Sequence, residues 1–153
     1  MSNKLTELLA TFFYVGYIPL CPGSAASAVG ALMAYYLCPN KFLYVLVWAT
    51  VTLAGFCSGG GMENIRGRKD PGCVVIDEVS GMLLTFFMLP LTWPVLWTGY
   101  FLFRAFDMFK IYPANRFERL PGGAGIMMDD LVAGLYANLT MQLALRLAGN
   151  LSG

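Results

Sequence analysis

Apolar stretches of the chain fall at roughly residues 8–20, 25–38, 42–57, 79–103 and 131–148, separated by shorter polar segments. Their length predicts helices. Several are shorter than the roughly 20 residues a straight helix needs to cross about 30 Å of hydrocarbon. The first is interrupted by Gly16-Tyr17-Ile18-Pro19-Leu20-Cys21-Pro22-Gly23, which cannot continue a helix. That region reads as a helix, a tight bend and a second helix from about Ser24. The 79–103 stretch is too long for one helix, and Pro90 and Pro94 break it. It predicts two helices joined near Thr92-Trp93, a hairpin that leaves one side of the structure and returns to it. The expected fold is all-α: a small polytopic helical membrane protein with about five to six helices, some short or re-entrant, forming one domain over 1–153.

Composition points the same way. The chain is 58% apolar and 12% charged, against about 45–50% and about 25% in ordinary globular domains. With 153 residues it cannot hide that much apolar surface in a water-soluble core. A cleavable leader is not expected: Lys4 precedes an apolar run and Ala26-Ser27-Ala28 looks like a cleavage site. However, Glu7, Gly16, Pro19, Pro22 and Gly23 interrupt the pattern. The net charge of +1 and the lack of a long basic run give no indication of a nucleic-acid partner. The four cysteines lack C-x-x-C spacing and histidine is absent. Cysteine–histidine metal binding is therefore excluded, and a catalytic metal would need oxygen ligands.

The charges are clustered. Eight of the nine acids lie between Glu63 and Asp130, and seven of the ten bases lie between Arg66 and Arg119. They form two blocks, 63–78 and 104–130, with no charge between Glu78 and Arg104. The hairpin puts both blocks on one face, and the local excess of Lys and Arg assigns that face to the cytoplasm.

Within the blocks, Asp77-Glu78 and Asp129-Asp130 each open an apolar helix, where desolvation is costly without a cation or proton. Helix capping accounts for one acid per helix, not for two adjacent pairs. Arg104, Asp107 and Lys110 follow at i, i+3, i+6 on one face of an otherwise greasy helix that must stop near Pro113. They form either an ion-pair ladder or a site in which Asp107 is a metal ligand or base and Arg104 or Lys110 holds a phosphate. The glycines of Leu120-Pro121-Gly122-Gly123-Ala124-Gly125-Ile126 expose backbone N–H groups that can cradle phosphate, or simply make a turn. Pro22-Gly23-Ser24 with Ser27 is a second such candidate, or a helix cap.

Missing parts exclude several phosphate chemistries. No cysteine has an arginine six positions later, no Asp-x-Asp occurs, there is no histidine nucleophile, and no Gly-Lys-Ser/Thr ends the glycine-rich segment. Metal-assisted attack of water on a phosphate monoester survives. A small membrane transporter and another metal-dependent lipid phosphotransferase remain the alternatives.

At these residues the sequence resembles the phosphatidylglycerophosphatase A family. The likeness is carried by the Gly16-to-Ser27 loop and by Asp70-Pro71-Gly72-Cys73-Val74-Val75-Ile76-Asp77-Glu78-Val79-Ser80-Gly81-Met82. It continues through Phe103-Arg104-Ala105-Phe106-Asp107-Met108-Phe109-Lys110-Ile111-Tyr112-Pro113 and from Leu120 to Gly134. It covers about residues 8–148.

The resemblance implies a Mg²⁺-dependent multi-pass enzyme of the bacterial inner membrane, its site facing the cytoplasm. Such an enzyme hydrolyses phosphatidylglycerophosphate to phosphatidylglycerol and inorganic phosphate. It implies Asp77, Glu78, Asp107, Asp129 and Asp130 as the metal and catalytic set, with Glu63 a lesser metal candidate. Arg104 and Lys110 become phosphate contacts, beside the substrate-binding candidates Gly122, Gly123, Ser24 and Ser27 read from the loops themselves. In one departure, the family's Pro-Gly-Thr-x-Gly-Ser reads Pro22-Gly23-Ser24-Ala25-Ala26-Ser27 here, so Ala26 replaces a glycine. Oligomeric state is not legible.

Overall fold

The computed structural model describes residues 2–109, 112, 114–117 and 120–151. Among them every regular element is a helix. It contains α1 (Asn3–Ala10), α2 (Pro22–Leu37), α3 (Lys41–Arg66), α4 (Ile76–Phe86), α5 (Trp93–Phe109), α6 (Ala114–Phe117) and α7 (Gly123–Leu151), with one 3-10 turn at Val15–Tyr17. Six of the seven α-helices have eight residues or more. The expected hairpin is present, with α4 ending at Phe86 and α5 starting at Trp93 around the two prolines.

Local chemistry sets the boundaries. Ser2 caps α1 by accepting from Leu5 N at 3.4 Å, and Asn40 caps α3 by accepting from Leu43 N at 3.1 Å. Pro22 opens α2, where its missing N–H costs nothing. Gly67, at φ +64°, ends α3 in a left-handed conformation that suits glycine.

The first helix begins and ends earlier than the apolar run suggested, spanning Asn3–Ala10. Thr11 Oγ1 donates to Glu7 O at 2.8 Å and accepts from Tyr14 N at 3.1 Å. That side chain takes over backbone groups a longer helix would use. Phe12, Phe13 and Tyr14 then run through positive φ. Beyond this bend Tyr17 donates to Glu7 and accepts from Arg66, tying α1 to the end of α3.

The short helix α4 is the centre of the bundle. It packs on α7, α2, α3 and α5, and Val79, Met82, Leu83 and Phe86 are almost fully buried. With 11 residues it is about 16 Å long, too short to cross a bilayer. Glycines bring α4 and α7 into backbone contact. A Cβ at Gly81 would lie 2.6 Å from Asp130 O, and a Cβ at Gly134 would collide with Gly81 O.

Asn138 of α7 satisfies the other end of α4. Its Nδ2 donates to Thr85 O at 2.9 Å and Phe87 O at 2.8 Å, and its Oδ1 accepts from Gln142 at 2.8 Å. Asn138→Leu is expected to cost about 1–3 kcal/mol by leaving those carbonyls unpaired. A lowered melting temperature in detergent checks it.

The outer surface is apolar. Phe42, Leu53, Phe101 and Leu143 are each more than half exposed. Helices α3 and α7 are long and apolar enough to cross a membrane, and only 22% and 28% of their most apolar windows are buried inside the protein. A soluble core helix would be mostly buried, which these are not, in keeping with a membrane-associated protein.

Candidate functional site

Three helix ends and one helix flank meet at the charged end of the bundle. Asp77 and Glu78 occupy the first turn of α4, where the helix dipole favours negative charge. The residue before that helix, Val75, makes no side-chain cap, so the acids are not caps of the ordinary kind. Asp130 comes from α7, held over α4 by the Gly81–Gly134 contact.

One carboxylate oxygen from each of Asp77, Glu78 and Asp130 lies within 4.8 Å of the others. Asp77 and Asp130 are buried. Asp77 Oδ1, Glu78 Oε2 and Asp130 Oδ2 are shielded from solvent without a hydrogen-bond partner. Burial, then the Glu78 and Asp130 carboxylates, pushes the Asp77 carboxyl well above the usual carboxylate range. Burial also raises Glu78, against a lowering hydrogen bond with Asp77. Three converging carboxylates, two of them buried and Glu78 half-buried, repel one another unless protons or a cation intervene. An all-oxygen donor set of this kind fits a hard divalent ion such as Mg²⁺.

The last turns of α5 supply the opposite charge. Arg104 Nη1 donates to Asp107 Oδ2 at 2.6 Å, and both side chains are largely buried. The i, i+3 spacing read from the sequence thus makes a real ion pair. Asp107 also interacts with the Asp130 and Glu78 carboxyls, so it borders the trio while anchoring the arginine.

Gly23, in the first turn of α2, completes the enclosure. A Cβ there would collide with Glu78 Oε1 and lie 3.5 Å from Arg104 Nη1. Only glycine lets this helix start come so close, and its leading N–H groups lack helical partners. Ser24 follows, half-buried, and its carbonyl accepts from Tyr100 OH at 3.1 Å.

Other residues singled out from the sequence are not members of the trio. Asp129 is buried beside Asp130, and its Oδ1 accepts from Asp130 N at 3.1 Å. Successive residues on a helix point about 100° apart, and the trio takes Asp130. Glu63 accepts from Asp70 N at 3.1 Å and is outside the trio. Ser27 is buried, with its hydroxyl donating to Gly23 O at 2.9 Å. Ala26 is fully buried in the core, so the exchange of glycine for alanine falls on a packed position.

Gly122 and Gly123 pack on α3. A Cβ at Gly123 would collide with Phe56 O, and one at Gly60 would lie 3.1 Å from Gly123 N. Gly123 is seven positions before Asp130, about 10 Å along the helix. Lys110 lies outside the described residues. Tyr100 and the Gly81–Gly134 pair escaped the sequence reading. For Tyr100 the available signal was its place four residues before Arg104.

Comparison with known proteins adds an independent line. Residues 8–145 match the family model described as phosphatidylglycerophosphatase A. The chain is 37% identical to phosphatidylglycerophosphatase A of Escherichia coli K12, over 90% of this chain and 81% of that protein. It is 33% identical to phosphatidylglycerophosphatase A of Haemophilus influenzae, over 86% and 83%. A Bacteroides thetaiotaomicron protein named provisionally as a phosphatidylinositol-3-phosphatase is 31% identical, over 92% and 93%. No solved structure matches the chain.

Proposed function

The chain belongs to the phosphatidylglycerophosphatase A family, and from that membership we propose that it hydrolyses the terminal phosphate monoester of phosphatidylglycerophosphate, releasing phosphatidylglycerol and inorganic phosphate. The observation that carries the mechanism is the converging trio Asp77, Glu78 and Asp130, with its shielded, unpartnered oxygens, set against Arg104.

Asp77, Glu78 and Asp130 would hold Mg²⁺, which when bound supplies Lewis-acid polarisation of a phosphoryl oxygen and a lowered pKa for water. The protein supplies the rest. Arg104 neutralises charge developing on the phosphoryl oxygens, and the Asp107 carboxylate fixes the direction of its guanidinium. The start of α2 offers N–H groups and a positive dipole end to the phosphate. Asp129 and Lys110 are further contributors, with roles assigned by family likeness alone. The buried floor of Val79, Met82 and Phe103 excludes bulk water below the site.

Helix direction supports a multi-pass arrangement with this site on the cytoplasmic face. Helices α2, α4 and α7 start at the charged end, and α3 and α5 finish there. Most of the lysines and arginines therefore gather on one side of the membrane.

The similarity to the Bacteroides protein favours one second reading, a phosphoinositide monoester as substrate. Phosphate release by detergent-purified protein, measured side by side on phosphatidylglycerophosphate and phosphatidylinositol 3-phosphate, separates the two. Higher kcat/KM on the former is expected, and the reverse order transfers the function to the latter. In the same assay Arg104→Lys is expected to lose roughly 10²-fold in kcat, because a lysine cannot reproduce the paired, directed donors.

A further inference from the structure

On the proposed function the charged site would receive the phosphate, yet the substrate is a lipid with two long chains. Between α2 and α5 an apolar cavity of about 300 Å³ leads away from that site. Two helical stripes build it. On α5, Trp93, Leu96, Trp97 and Tyr100 line it, and the next residue on that stripe is Arg104. On α2, Ala28 and Ala31 line it, and the preceding residue on their stripe is Ser24.

Contacts define both ends. At the near end Tyr100 OH donates to Ser24 O at 3.1 Å, immediately beside the Gly23–Arg104 approach. At the far end Tyr35 stacks on Trp93, with ring centroids 5.7 Å apart. From Ser24 to Tyr35 the helix rises about 17 Å. The α2 side is formed by Ala28, Ala31 and Leu32, and the α5 side is largely aromatic, with Trp93, Trp97 and Tyr100 beside Leu96.

We propose that this groove seats one acyl chain of the phosphate-bearing lipid while its headgroup lies at Asp77, Glu78, Asp130 and Arg104. The inference rests on the lipid-phosphatase reading above. Continuity with the site selects the occupant. A membrane lipid chosen at random would meet any outer face equally, whereas the mouth of this cavity adjoins the residues that face the phosphate. A partner helix, about 10–12 Å across, does not fit between helices that touch at both ends of the cleft. Surrounding lipid is as apolar as the groove. The groove therefore places the substrate rather than merely attracting it, and its signature is chain-length dependence of kcat/KM.

The test uses the full chain in detergent with dioleoyl and dihexanoyl forms of phosphatidylglycerophosphate. The wild type should favour the long-chain substrate. Ala28→Trp, at an exposed groove position, should reduce the long-to-short ratio of kcat/KM roughly tenfold through misplacement of the headgroup. Leu139→Trp, adding an indole on the exposed face of α7 outside the groove, should keep the ratio. An unchanged ratio in Ala28→Trp overturns the proposal.

Photolabelling of wild type with a diazirine-bearing acyl chain on the same lipid gives a readout independent of turnover. Labelling of 28–32 and 93–97 should be displaced by unlabelled phosphatidylglycerophosphate and not by phosphatidylcholine. Equal displacement by both overturns the groove. Absence of phosphate release from either chain length would instead sink the functional reading, and the displacement pattern would still decide the groove.

Discussion

Asp130→Asn is expected to abolish turnover while leaving a folded protein that is more heat-stable than wild type when metal is absent. Asp130 contributes one of three carboxylate oxygens lying within 4.8 Å of each other. On the proposed mechanism, removing its charge would take a ligand from the Mg²⁺ that the trio would hold, whose Lewis-acid contribution is worth several kcal/mol. At about 1.4 kcal/mol per tenfold, the rate should fall by roughly a thousandfold or more. The same change relieves repulsion among buried carboxylates in metal-free protein. Activity and stability should therefore move in opposite directions, as at sites where function maintains local strain. Asp77→Asn should behave alike. Phosphate release and a thermal melt in EDTA, on the same preparation, check both halves. A variant that loses stability and activity together would make Asp130 a structural residue.

Gly134→Val should be as damaging for a different reason. Its Cβ would occupy the position of Gly81 O, so α7 must move away from α4. No flexible side chain can yield there, because the obstacle is backbone. Overpacking of this kind costs about 1–3 kcal/mol or more, and it withdraws Asp130 from Asp77 and Glu78. A displacement of about 1 Å at a reacting centre can cost about 10²-fold. The expected result is a lower melting temperature together with kcat reduced by about that factor. Gly134→Ala, with a single added carbon, should show the same direction and a smaller effect.

These expectations depend on features of unequal visibility in the sequence. Two prolines inside one apolar run made the α4–α5 hairpin legible, and with it the meeting of the two charged blocks. The Arg104–Asp107 pair followed from i, i+3 spacing, which one helix fixes without help from tertiary structure. Selection of Asp130 over Asp129 was not legible. It depends on the rotation of α7 against α4, which the remote pair Gly81 and Gly134 sets.

Gly122-Gly123 was open to two readings because a phosphate cradle and a close helix crossing require the same small residues. Their neighbours Phe56 and Gly60 lie more than sixty positions earlier. The early end of α1 is a local effect that hydrophobicity conceals, since Thr11 diverts backbone hydrogen bonds within an apolar run. Membrane association was legible from composition and is visible again in the exposed Phe42, Leu53 and Phe101.

The central claim is that a divalent ion held by Asp77, Glu78 and Asp130 drives hydrolysis of a lipid phosphate monoester. Its most direct test is phosphate release from phosphatidylglycerophosphate by detergent-purified wild type, first stripped with EDTA and then titrated with Mg²⁺. Release should be absent in EDTA and return saturably as Mg²⁺ is added. Undiminished release in excess EDTA would contradict it.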